Sequence, residues 1–133
     1  MNPSYLVDTD WIIHYLNGNL KIIERLRPLR REGLSISIVS LAELYEGIYY
    51  STDPTGNEIG LSNFLTGVAV LGIEEEICKV FGKERGGLRK KKQLIGDMDL
   101  LIASTALHYD LRLLTSNRRH YELVEGLKIL SLP

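Results

Sequence analysis

The sequence predicts an α/β protein, a three-layer α/β/α sandwich around a central, mostly parallel twisted sheet. Short apolar runs that are typical of buried strands recur along the chain, and longer segments with apolar residues at helical spacing alternate with them. The first run stops abruptly at a polar residue, as a buried parallel strand does where it leaves a sheet. The 133 residues fit one domain spanning 1–133.

The first half of the chain contains two of the predicted strands. The predicted elements there are strands at 4–7 and 34–38 and helices at 11–16, 20–31 and 41–48. Thr9 or Asp10 is expected to cap the first helix. Ser40 is expected to cap the third, because Glu43 follows it at capping-box spacing.

The second half repeats the alternation of strand and helix. Its predicted elements are a weakly determined helix at 60–67, a buried strand at 68–71, a polar helix from 74 and strands at 111–114 and 127–130. Gly86 and Gly87 are expected to weaken or kink the polar helix, and Gly96 closes that segment. Residues 97–109 form the clearest helix, and its nearly all-round apolar surface indicates burial.

Acidic and polar residues follow the predicted strand ends. Asp8 comes directly after the first strand, Glu43 lies shortly after the second, and residues 115–117 follow the strand at 111–114. Ligands of such sheets bind beyond the carboxyl ends of the strands, so we expect these side chains at one edge. Asp97 and Asp99 open the buried helix, where an acid also complements the helix dipole and Asp97 also fits a cap.

This acidic group favours a divalent cation. Clustered carboxylates repel one another, and without a cation their pKa values rise. Oxygen ligands suit Mg²⁺ or Mn²⁺ rather than zinc, and Asn117 adds a neutral carbonyl. The three histidines are isolated in sequence and are expected to pack or to face solvent: His14, His108 and His120.

Two basic runs flank these acids in sequence order. Arg85 belongs to the first, and the possible nucleic-acid contacts are Arg89, Lys90, Lys91, Lys92, Arg118 and Arg119. Such cations either bind phosphates or form a solvated face. Because the net charge is only −1, nucleic-acid binding would depend on local patches of this kind.

Composition limits the class of protein further. Hydrophobic residues make up 44% and charged residues 25%, as in soluble globular proteins. The single cysteine, Cys78, cannot form an internal disulfide, and residues 1–10 do not resemble a secretion signal. No apolar stretch approaches the ~20 residues of a membrane span. The expected location is the cytoplasm, with no membrane partner.

Four segments together resemble the PIN-domain family and, within it, the VapC-type toxins of bacterial and archaeal toxin–antitoxin pairs. The matching segments are 6–9, 40–47, 95–103 and 114–117 with His120 and Tyr121. Their order and spacing run through nearly the whole chain. The segment 95–103 is the most specific of them.

The resemblance implies a set of site residues. The family's metal-binding acids fall on Asp8, Glu43 and Asp99. Asp97 is an additional acid found in some members, and Asn117 stands at a fourth position that is acidic or amide. Thr9 and Thr115 would support these ligands from a second layer. Asp10 stands where a small hydroxyl or amide residue is usual, and it either alters the site or caps the helix.

The resemblance also implies an activity and partners. We expect an endoribonuclease that hydrolyses RNA phosphodiesters with metal-activated water, a VapB-type antitoxin and a homodimer. The aromatic patch of Tyr45, Tyr49 and Tyr50 has the character of a partner surface. Two alternatives remain open: an inactive RNA-binding PIN scaffold, and a haloacid-dehalogenase-type phosphatase, whose nucleophile motif resembles residues 5–10.

Overall fold

A computed structural model describes residues 3–131 and contains one five-stranded sheet in the order β3-β2-β1-β4-β5. The strands are β1 (Tyr5–Val7), β2 (Leu34–Ser37), β3 (Ala69–Leu71), β4 (Arg112–Leu114) and β5 (Ile129–Leu130). All four strand pairs are parallel. The predicted α/β/α class is therefore confirmed.

In the described part of the chain, seven α-helices connect or flank these strands. They are α1 (Thr9–Leu16), α2 (Leu20–Leu29), α3 (Ile38–Tyr49), α4 (Pro54–Phe64), α5 (Glu75–Lys90), α6 (Asp97–Tyr109) and α7 (Arg118–Tyr121), with a 3₁₀ turn at Arg30–Glu32. No helix within residues 3–131 is long and apolar enough to span a bilayer.

The central strand β1 separates two hydrophobic cores. Tyr5 and Val7 pack on one side with residues of α1, α2, α3 and α4, whereas Leu6 packs on the other side with residues of α5 and α6. Neighbouring β4 divides in the same way, with Leu114 in the first core and Leu113 in the second. Because successive side chains of a strand point to opposite faces, both sheet faces are covered.

Two predicted helix caps are wrong. Helix α1 begins at Thr9, two residues before the predicted start at residue 11, and its cap is Asp8, whose carboxylate accepts a hydrogen bond from the Thr9 N–H. Helix α3 is capped by Ser37, whose hydroxyl accepts from the Val39 N–H. The expected capping box therefore does not form: Ser40 lies inside the helix and is fully buried. Because neither Thr9 nor Ser40 caps a helix, their hydroxyl groups can contact each other, and they lie 2.9 Å apart.

Several boundaries also differ from the prediction. Strand β3 is largely exposed rather than buried, because it forms an edge of the sheet. Helix α4 begins at Pro54, immediately after an Asp53 cap, instead of near Gly60. Helix α5 continues through Gly86 and Gly87 without a break. The clearest prediction, a buried helix at 97–109, matches α6.

Candidate active site

Asp8 occupies the carboxyl end of the central strand. Its backbone N–H donates to the Leu114 carbonyl oxygen of β4 at 2.9 Å, so β1 and β4 end side by side. The Asp8 carboxylate also accepts from the Thr115 hydroxyl at 2.7 Å, across 107 residues of sequence. Asp8 is only 5% exposed. The strand ends thus bring a buried carboxylate to the edge where the sequence predicts a site.

Asp99 reaches the same place from the first turn of α6. The Tyr121 hydroxyl lies 3.2 Å from Asp99 Oδ1 and 3.3 Å from Asp8 Oδ1, so one hydroxyl contacts both carboxylates. The other Asp99 oxygen, Oδ2, lies 3.2 Å from His120 Nε2. Burial and the two nearby carboxylates raise the pKa of Tyr121. The tyrosine is therefore a protonated donor.

Glu43 is tied to this site through Thr9. The Thr9 hydroxyl lies 2.8 Å from Glu43 Oε1 and 2.9 Å from the Ser40 hydroxyl oxygen. Since the Thr9 N–H also bonds Asp8, residue Thr9 links the start of α1 to the buried Ser40 and the half-buried Glu43 of α3. This contact network places Glu43 at the same sheet edge as Asp8. Thr9 is the residue that connects Glu43 to the Asp8–Asp99 pair.

Asp10 adds an acid that is held by the backbone. Its two carboxylate oxygens accept from the Ser116 N–H at 3.0 Å and the Trp11 N–H at 2.7 Å. The first bond ties α1 to the loop after β4. Burial raises the pKa of Asp10. Asp10 thus both bonds the start of α1 and contributes negative charge near Asp8.

Asp8 has the most perturbed carboxyl group of the site. Burial, the main cause, together with the charges of Asp10 and Asp99, raises its pKa from 3.8 to about 7, against the opposing hydrogen bonds from Thr115 and Thr9. The burial of a carboxylate among like charges is unfavourable without a cation. This arrangement favours a positive ion at the Asp8–Asp99 pair.

Three predicted residues have other contacts in the structure. Asp97 is not the cap of α6, which is Gly96, and its exposed carboxylate forms a 2.7 Å ion pair with Arg85. The Asn117 side chain is exposed, and its backbone N–H donates to the Thr115 hydroxyl. Arg118 is bound to Ser131, Glu122 and the Ile129 carbonyl, so the fold already uses its guanidinium group.

The donor set fits a hard cation that keeps part of its water shell. Within residues 3–131, no three acidic, histidine or cysteine side chains converge tightly enough to form a complete ligand set. Asp8 and Asp99 nevertheless contact one hydroxyl and present oxygen atoms only. Mg²⁺ is usually held by one or two carboxylates and several waters, so a pair of carboxylates matches the binding habit of that ion.

Comparison with known proteins identifies the family. The sequence model described as "PIN domain" matches residues 5–126, which is most of the chain. This chain belongs to the PIN-domain family. The predicted resemblance to VapC-type PIN domains is confirmed as well, because relatives named Ribonuclease VapC match this PIN domain over nearly its whole length.

Three similar proteins illustrate the relationship. Ribonuclease VapC2 of Haemophilus influenzae (strain Rd) is 30% identical to this PIN domain over 126 residues, covering 94% of this chain and 95% of the relative. A crystal structure of VapBC2 from Rickettsia felis, bound to a DNA fragment from its promoter, superposes with a TM-score of 0.91 at 26% identity, covering 97% and 98% of the two chains. A structure of VapBC-1 from nontypeable Haemophilus influenzae gives 0.85 at 31% identity and covers 96% of each chain.

Sequence reasoning missed two side chains of the site. His120 was expected to pack or to face solvent, yet it lies against Asp99. Tyr121 was quoted only as part of the resemblance, yet its hydroxyl contacts both central carboxylates. The available signal was spacing: both residues follow Thr115 within two helical turns, on the segment that leaves the same sheet edge as Asp8.

Proposed function

We propose that this PIN domain is a Mg²⁺- or Mn²⁺-dependent endoribonuclease and the toxin of a type II toxin–antitoxin pair. The observation that carries the proposal is the buried Asp8 carboxylate, which shares the Tyr121 hydroxyl with Asp99 at the end of the central strand. The VapC ribonucleases to which the chain is similar support the choice of RNA as substrate. The free Cys78 supports the cytoplasm as its compartment.

In the proposed mechanism, Asp8 and Asp99 would hold the cation and Glu43 would orient a water that the cation binds. When bound, a divalent ion supplies Lewis acidity that activates water and neutralises charge on the phosphate. Thr115 and Tyr121 hold the two ligating carboxylates from the protein side. Thr9 fixes Glu43 toward the same edge, and Asn117 is exposed beside it. Asp97 is left as the partner of Arg85 rather than as a ligand.

We propose that RNA approaches along the end of α5. Arg85, Arg89 and Lys92 line a cavity of about 620 Å³ together with Gly96 and Asp97 at the start of α6. Asp97, which lines this cavity, precedes Asp99 by two residues in the sequence. Lys90 and Lys91, adjacent in sequence to the lining residues, are exposed, and Arg119 after β4 is exposed as well. Cations in such positions would bind phosphates and give salt-dependent affinity with little base specificity.

The proposed protein partner is a VapB-type antitoxin. Tyr49 and Tyr50 are 61% and 89% exposed at the end of α3, which is unusual for aromatic side chains on one helix. A groove of about 420 Å³ is lined by Tyr50 together with Ile13 and Glu43, so it reaches the acidic edge. The VapBC complexes among the similar structures support such a partner. We include a homodimer in the proposal. Light scattering on the purified protein measures its mass, which for a dimer is twice the 15.1 kDa of one chain.

A cleavage assay tests the activity. Purified protein is incubated with single-stranded RNA in Mg²⁺, in Mn²⁺ and in chelator, beside the variants Asp99→Asn and Asp110→Asn. Asp110 is a matched control, because it is an aspartate at the other end of α6 in a left-handed conformation that Asn tolerates. We expect metal-dependent cleavage by the wild type and Asp110→Asn and at least a hundredfold loss in Asp99→Asn. Equal cleavage by both variants contradicts the proposal.

The same assay separates the alternatives. An inactive RNA-binding scaffold would bind the RNA in every sample and cleave in none. The phosphatase alternative predicts a strand immediately before Gly96, whereas the structure has the end of α5 and a loop there. The PIN match over residues 5–126 also argues against it.

A further inference from the structure

The Tyr121 hydroxyl is placed between two carboxylates that come from distant parts of the sequence. Tyr121 is fully buried at the end of α7, and its ring packs in the core formed with α5 and α6. Its oxygen lies 3.3 Å from Asp8 Oδ1 and 3.2 Å from Asp99 Oδ1. A phenylalanine would fill the same volume without making either contact.

Each carboxylate has its remaining contacts elsewhere. Asp8 Oδ1 also accepts from the Thr9 N–H and Oδ2 from the Thr115 hydroxyl, whereas Asp99 Oδ2 faces His120. The two Oδ1 atoms therefore converge on the tyrosine from different elements. A phenol has only one hydrogen to donate, so the two carboxylates share a single donor.

A purely structural role of Tyr121 would require fewer hydrogen-bond acceptors than its hydroxyl has here. A buried tyrosine needs one acceptor, and a backbone carbonyl satisfies it. Here both acceptors are carboxyl groups, and both belong to the residues proposed above to hold the cation. When both are ionised they repel each other, and a donor shared by the two Oδ1 atoms offsets that repulsion.

We propose that Tyr121 is a positioning residue, whose hydroxyl holds the Asp8 and Asp99 carboxylates together in the orientation that binds one divalent cation. This inference rests on the proposed function for the presence of the cation. Hydrogen bonds to ligating carboxylates set their orientation, and their loss typically weakens metal binding by about 10- to 100-fold. Preassembly of the pair also avoids an ordering cost when the ion binds.

A Mn²⁺ titration of the full chain tests the inference. Calorimetry or electron paramagnetic resonance compares the wild type with Tyr121→Phe and with Tyr109→Phe. Tyr109 is a matched control because it lies at the far end of α6 and is partly exposed. We expect Mn²⁺ affinity to fall by about tenfold or more in Tyr121→Phe and to stay unchanged in Tyr109→Phe. The cleavage defect of Tyr121→Phe should shrink as Mn²⁺ is raised.

A second replacement covers the case in which Tyr121→Phe does not fold. Placing 4-aminophenylalanine at position 121 keeps a hydrogen-bond donor at the same point of the ring, and it should bind Mn²⁺ much like the wild type. Far-UV circular dichroism and a urea midpoint report folding for each protein. If the donor-bearing replacement folds and binds as weakly as a protein without a donor, the positioning role is refuted.

The outcomes separate the inference from the proposed function. If the wild type binds Mn²⁺ and cleaves RNA, but Tyr121→Phe has equal or tighter Mn²⁺ affinity, the positioning role fails and the proposed function stands. If the wild type binds no Mn²⁺ and cleaves no RNA, the proposed function fails and the role of Tyr121 fails with it.

Discussion

The pH dependence of stability gives a direct test of the environment of Asp8. In the metal-free protein, burial and neighbouring charge raise its pKa from 3.8 to about 7. Between these two values the native state retains a proton that the unfolded chain has released, so the free energy of unfolding falls as pH rises through this window. One pKa unit corresponds to about 1.4 kcal/mol, so the change from pH 5 to pH 8 is about 2 to 3 kcal/mol.

The variant Asp8→Asn removes this titration and keeps the shape of the side chain. Urea denaturation of both proteins in chelator at pH 5, 6, 7 and 8 gives the difference in slope, because all other titrating groups are shared. We expect the wild type to lose about 2 to 3 kcal/mol relative to Asp8→Asn over this range. Saturating Mn²⁺ at pH 8 should restore the wild type alone, by about 2.7 kcal/mol at 100 times the Kd. Parallel pH profiles would refute the account of Asp8.

Three further predictions concern residues around the site. In Arg89→Gln/Lys92→Gln, RNA affinity measured by fluorescence anisotropy should fall, and its log–log salt slope should decrease by about 1.4, while Arg25→Gln/Arg27→Gln on α2 changes neither; equal slopes would exclude α5 from the RNA path. Thr9→Val should lower the RNA cleavage rate because Glu43 loses its donor, and Thr9→Ser should retain the rate; equal rates would contradict the role of Thr9. Ser37→Ala should reduce the free energy of unfolding by about 1 kcal/mol through loss of the α3 cap, and a neutral result in urea denaturation would argue against that cap.

Local sequence pattern was sufficient where one physical rule dominates. Two segments are apolar enough that they must be buried: the run before Asp8 and the segment at 97–109. The sequence therefore predicts β1 and α6. Once the sheet is parallel, the carboxyl ends of all strands lie at one edge, and the pairing of β1 with β4 then brings Asp8 to Thr115. These rules predict which edge carries the site.

Local pattern failed where the outcome depends on tertiary partners. Ser37 and Ser40 are both acceptable caps, and the choice depends on where β2 ends against its neighbours in the sheet. Asp97 and Asp99 are the same residue type in the same helical turn, but Asp97 pairs with Arg85 of α5 and Asp99 contacts Tyr121. Strand β3 is as apolar as a buried strand, and only the strand order shows that it is an edge. None of these contacts is visible within a short window of sequence.

The central claim is that Asp8 and Asp99 together bind a hard divalent cation. Crystals of the protein soaked in Mn²⁺, with anomalous diffraction data collected near the manganese edge, test it most directly. The account predicts an anomalous peak bonded to carboxylate oxygens of both Asp8 and Asp99, and no such peak in Asp8→Asn crystals treated in the same way. A map without a peak at this pair, or with a peak bonded to Asp97 instead, would contradict it.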